Sequence, residues 1–195
     1  MTNAAGICVY HVDLIPYFNW KIVNWPPLDM DIRMDQSFSS LPGPILPNGT
    51  TVELNRVSFR FPVTDLGRED VVCCEEQTIH LDPADGYGRL SVLGLAVNGS
   101  FSEEMTVVYK DGSTEQKRLY LLDWYDHDKF PNNEYPYGEQ LAILMPYHHR
   151  QDILMEQSTA VWQYAVSLRK DQPVQSIRLP DNPFMYIFAI SLHDE

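Results

Sequence analysis

Extended segments bounded by turn-forming residues recur along almost the whole chain after Thr50, and helical periodicity is nearly absent. The segments are 51–61, 71–81, 89–97, 105–109, 115–122, 140–146, 160–168, 174–179 and 184–192. Between them stand Asp82-Pro83-Ala84-Asp85-Gly86, Asn98-Gly99, Lys110-Asp111-Gly112-Ser113, Asp171-Gln172-Pro173 and Pro180-Asp181-Asn182-Pro183. Each of these residue types favours turns for its own steric or hydrogen-bonding reason, and many short strands so punctuated specify a sandwich or barrel. Residues 107–114 read most clearly as a hairpin, because Asp111-Gly112 supplies the positive φ angles of a tight turn. Residues 51–61 read as one strand, with Val52, Leu54, Val57, Phe59 and Phe61 alternating and one slip near Asn55. Residues 185–192 are apolar in both parities, as a central strand covered on each face must be. Only 150–157 has the pattern of a short helix. The expected fold is all-β: a jelly-roll sandwich of two antiparallel sheets forming a single domain over residues 1–195.

Residues 13–50 break the pattern. They hold Tyr17, Phe18, Trp20 and Trp25-Pro26-Pro27, acids from Asp29 to Asp35, and a proline-rich run over 41–47. So long a loop is functional or disordered, and its aromatic content favours order. It reads as an irregular, aromatic-rich excursion lying across the sandwich.

A hydrophobic share of 44% suffices to cover two sheets and fill the layer between them. The formal net charge of −13 opposes nucleic-acid and anionic-membrane partners, because both depend on clustered Lys and Arg. The only basic doublets are Lys117-Arg118 and Arg169-Lys170. A neutral partner such as a sugar meets no such penalty. Cys8, Cys73 and Cys74 are a poor disulfide framework and read as small apolar residues. No secretory leader opens the sequence, and no apolar run nears the roughly 20 residues needed to span a bilayer. As written, the chain is expected in the cytoplasm; as a piece trimmed from a secreted protein, it would be extracellular.

The densest chemistry lies in 123–130, Asp-Trp-Tyr-Asp-His-Asp-Lys-Phe. It combines carboxylates, an imidazole and stackable rings, the mixture that hydroxyls and the apolar face of a sugar require. Asp123 and Trp124 read as a corner, with the carboxylate capping turn amides and the indole in the core. Tyr125, Asp126 and His127 are the expected exposed contacts. His149 and Arg150 end a strand that can meet this loop, and Trp20 and Trp25 can fold over both. Asp126 and Asp128 are the candidates for a structural Ca²⁺, although they lack the glycine and closing glutamate of a calcium loop. No other cofactor is expected. Were the chain an enzyme, Asp123, His127, His149 and Arg150 would be its acid–base candidates, acting as a hydrolase, lyase or isomerase on a small sugar or glycoside.

Asp13-Leu14, Tyr17-Phe18-Asn19, Leu41-Pro42 and 57–62 (Val-Ser-Phe-Arg-Phe-Pro) carry a resemblance that continues through Gln77-Thr78-Ile79, 90–99, 109–113, Asp123-Trp124, 145–150, 174–180 and 187–190. Taken together they resemble accessory β-sandwich domains attached to bacterial glycoside hydrolases, α-mannosidase-type enzymes among them. The resemblance implies a galactose-binding-like sandwich and a non-catalytic carbohydrate-binding or accessory role. The pattern breaks at Asn19-Trp20-Lys21-Ile22, at 29–35 and at Glu76, where glycines are expected. Losing them should remove positive-φ positions and redirect those loops. The alternatives are a protein–protein subunit that supports a neighbouring enzyme, with Trp20, Trp25 and Phe38 on its partner-facing patch, a homo-oligomer, and the small enzyme described above.

Overall fold

A computed structural model describes residues 8–130 and 134–194. In chain order the strands are β1 (Val9–His11), β2 (Val23–Asn24), β3 (Ser39–Pro42), β4 (Thr51–Leu54), β5 (Val57–Arg60), β6 (Val72–Glu75), β7 (Thr78–His80) and β8 (Arg89–Ala96). They continue with β9 (Phe101–Tyr109), β10 (Thr114–Leu121), β11 (Gln140–Met145), β12 (His148–Arg150), β13 (Ile153–Met155), β14 (Thr159–Ser167), β15 (Val174–Arg178) and β16 (Asp181–His193). Helical structure among the described residues is confined to short 3₁₀ turns at Ile15–Tyr17, Gly43–Ile45 and Asp126–Asp128. The fold is all-β, and no described helix is long and apolar enough to cross a membrane.

The central sheet runs β1-β16-β8-β14-β11, with β6 pairing the other half of β16. Its partner runs β10-β9-β15-β7. From β6 onward the chain crosses between these sheets at most connections, the habit of a jelly roll. Side-chain alternation then decides what goes where. Leu90, Val92 and Ala96 of β8 and Met185, Ile187, Ile190 and Leu192 of β16 face the partner sheet and form the sandwich core with Val107, Tyr109, Leu121 and Ile177. Leu93 and Leu95 of β8, with Tyr186, Phe188 and Ala189 of β16, face the other way into a second core. That core is closed by Ile22, Val23, Leu41, Phe59 and Phe61, with Phe61 stacked on Phe188 at 5.0 Å.

The expected two layers are therefore three. The outer layer is a small sheet, β13-β12-β3-β2, beside the β4–β5 hairpin. Residues 13–50 are less irregular than expected, since β2 and β3 pair in parallel and β3 pairs with β12. The single strand expected over 51–61 is this hairpin, turned at Asn55 and Arg56 with φ +46° and +67°. The helix expected at 150–157 is the β12–β13 hairpin, with Gln151 at φ +55°. Segment 71–81 splits at Glu76, sending β6 to the central sheet and β7 to its partner. Glu76 holds φ +59°, so replacing glycine did not abolish the left-handed turn there. The 107–114 hairpin forms as expected, with Gly112 at φ +82°.

A buried carboxylate fastens the outer layer to the central sheet. Asp70 is fully buried and accepts the amides of Ile22 (2.9 Å) and Val23 (3.1 Å), next to the Trp20–Val71 bridge. Desolvation outweighs those two bonds and lifts its pKa from 3.8 to about 7. The folded state thus holds this proton more tightly than the unfolded chain, and raising the pH through that interval erodes the carboxyl's contribution. Asp70→Asn turns an NH₂ against a backbone N–H and should lose about 1–3 kcal/mol near pH 4. The deficit relative to wild type should narrow toward pH 7, measured by urea unfolding across that range; a deficit that widens would contradict the assignment.

Candidate functional site

The 123–130 loop is built from the inside out. Asp123 forms a parallel bridge with Ala96, and its carboxylate accepts the amides of Gly99 (2.6 Å) and Tyr125 (2.9 Å). Its carbonyl accepts the Trp162 indole at 3.2 Å, and Trp124 is buried in the second core. This is the corner expected of both residues. Burial raises the Asp123 carboxyl, opposed by the same two amides.

Tyr125 and His127 are not exposed as expected. The Tyr125 hydroxyl lies 3.0 Å from His148 Nε2, while His148 Nδ1 lies 3.2 Å from the Gln157 carbonyl. A carbonyl only accepts, so Nδ1 carries the proton and Tyr125 donates to Nε2. Burial enforces that neutral pair, lowering the imidazole and pushing the phenol up to about 12. The His127 side chain is only 10% exposed, with Nε2 3.2 Å from Asp128. Asp126 is buried, its oxygens taken by Ser100 and Lys129. Among the described residues no three His, Cys, Asp or Glu side chains form a metal-holding group.

Loops 123–130 and 145–150 meet as expected, but through buried contacts: Tyr125 with His148, and Trp124 edge-on to His148 at 5.0 Å. His149 is buried beside Tyr147, and Arg150 is exposed. Trp25 is elsewhere, its indole donating to Thr64 at 3.1 Å and packed where any Cβ on Gly43 would collide. None of the four acid–base candidates lines either of the two concavities described below.

Trp20 opens a different site. A cleft of about 690 Å³, including its mouth, lies where β6 and the start of β16 meet the 33–36 loop and the Asn98 turn. Its exposed rings are Trp20 (36% exposed) and Phe184 (41%). Both are fixed: the Trp20 indole donates to the Arg33 carbonyl at 3.1 Å, and Phe184 stacks on Phe101 at 6.0 Å. Tyr186 closes the base, its hydroxyl donating to the Met34 carbonyl. Arg33, Asp35, Glu75 and Asn98 supply polar groups. The Asp35 carboxylate is oriented by the amides of Ser37 and Ser39, and Glu75 by the Asn19 amide. Cys73 also lines the cleft, but burial lifts its thiol to about 12, so it carries no thiolate at neutral pH.

Residues 8–195 match the family model of the AziU2-like beta-sandwich domain. The chain belongs to that family. Membership in the AziU2-like family carries the β-sandwich and not the attachment to a glycoside hydrolase. No curated protein matches the chain. Within this AziU2-like sandwich, sequence reasoning missed Phe184, Asn98, Asp35 and Glu75 as cleft residues. A signal was nevertheless present, since the glycine-poor stretches at 19–22 and 29–35 are the ones that furnish Trp20, Arg33 and Asp35.

Tyr125→Phe should leave His148 Nε2 buried without a donor and lower stability by about 1–3 kcal/mol. Asp123→Ala, which frees two turn amides, should cost a similar amount. Thermal unfolding of both variants checks this; wild-type stability in either would remove the residue from the corner.

Proposed function

We propose that this domain is a non-catalytic module that holds a carbohydrate in the Trp20–Phe184 cleft. The observation that supports this reading is the pairing of two immobilised, solvent-facing rings with oriented carboxylates, an amide and a guanidinium in one concavity. A pyranose has the same division: its axial C–H face packs on aromatic rings and its hydroxyls need both acceptors and donors. Rings already held by hydrogen bonding and stacking lose little freedom when they bind. The non-catalytic reading rests on the same geometry, since Asp123 and His148 are spent on structure and Cys73 is kept as a thiol.

The second reading, a subunit that supports another protein, is favoured by a separate surface. Leu144 on the edge strand β11 and Ile153 and Leu154 on the edge strand β13 are each at least half exposed. Edge strands with apolar side chains suit protein contacts.

Glycan-array screening followed by calorimetry separates the two. Trp20→Ala and Phe184→Ala should each weaken sugar binding by about 1–3 kcal/mol with little change in melting temperature. Binding that survives both substitutions, or silence across neutral and acidic glycans alike, contradicts the carbohydrate reading.

A further inference from the structure

The outward face of the central sheet changes character along its length. Under the outer layer it presents Leu93, Leu95 and Ala189. One pleat further, Ser91 of β8 is paired directly with Ala165 of β14 on one side and Ser191 of β16 on the other. Three small side chains in a row leave a depression, and beyond them Arg89 pairs with His193. The hollow spans about 770 Å³ with its mouth and lies beneath the Asn55–Arg56 turn, with Gly138 and Gln140 at its margin.

Its polar groups are arranged for a guest. Ser91 and His193 satisfy one another at 2.8 Å. Gln163 is 3% exposed, and its Oε1 accepts the Asn55 amide at 3.3 Å. That bond fixes the side-chain orientation, and the Gln163 NH₂ has no acceptor among the described residues. Neither Arg56 nor Arg89 has an ion-pair partner among the described residues, although the chain carries 27 acidic residues. Among the described residues no carboxylate lines the hollow. Of the acids flanking it in sequence, Glu139 accepts the Tyr137 amide through one oxygen while its other oxygen is buried without a partner, and Asp194 pairs with Lys170.

We propose that this hollow is a binding site for a small oxyanion, a carboxylate or phosphate group, held between the Arg56 and Arg89 guanidiniums over the Gln163 amide. Guanidinium forks match the oxygens of either anion, and a concavity of one sign focuses the field on its guest. The site is distinct from the Trp20–Phe184 cleft, and the two share no lining residue.

Inorganic phosphate and acetate, each titrated against chloride at matched ionic strength, test it by thermal shift and by amide NMR. At least one should raise the melting temperature saturably and shift the side-chain amide of Gln163; which one does so identifies the anion class. The double variant Arg56→Gln/Arg89→Gln should weaken that response at least tenfold. Ala165→Leu, which keeps both charges and fills the floor, should do the same, while Trp20→Ala leaves it unchanged. No specific response to either anion, or one that persists in the double arginine variant, overturns the proposal.

Discussion

Everything in this fold follows from β8 and β16 being apolar on both faces. A sheet whose two central strands bury side chains in both parities cannot leave either side to water, so one sandwich partner is not enough. The β10-β9-β15-β7 sheet covers one face, and the N-terminal segments, with Ile22, Val23, Leu41, Phe59 and Phe61, cover the other. The two strands come close enough that a Cβ on Gly94 would sit 2.4 Å from the Tyr186 carbonyl. That contact lies beside the register shift between Ile187 and Ala189, where β16 gains a residue against β8. Glycine at position 94 is therefore a requirement of the pairing itself.

Both concavities are consequences of where that cover stops. At the start of β16 the Trp20 and 33–36 segments leave a gap above Tyr186, and aromatic side chains line it. At the far end the cover thins to a two-residue turn over small and polar side chains, leaving the hollow of Ser91 and Ala165. One is ring-lined and carries both signs of charge; the other has two guanidiniums and, among the described residues, no carboxylate. The Asp70 carboxylate holds the first of these in place, because Ile22 and Val23 follow directly from Trp20.

The strands were legible in the sequence wherever alternation and turn chemistry agreed, as in 107–114 and along β16. The errors share a cause, which is that local pattern is silent on direction reversal. Asn55-Arg56 and Gln151 adopt positive φ without glycine, so two hairpins read as a strand and a helix. Aromatics and acids in 123–130 resembled a ligand loop because the residue types that bind sugars also build polar corners; the buried contacts of Asp123, Asp126 and Tyr125 distinguish them. Phe184 posed the converse problem: it sits in an apolar strand yet reaches solvent, since β16 begins before the cover does.

The central claim is that the Trp20–Phe184 cleft is the seat of carbohydrate recognition. NMR with neutral mono- and oligosaccharides tests it most directly, because the Trp20 indole N–H is a reporter inside the cleft. A binding sugar should move that resonance together with the amides of Asn98 and Phe184, leaving those of Tyr125 and His149 in place. Perturbation centred on 125–130 and 148–150, with the Trp20 indole unmoved, would contradict it.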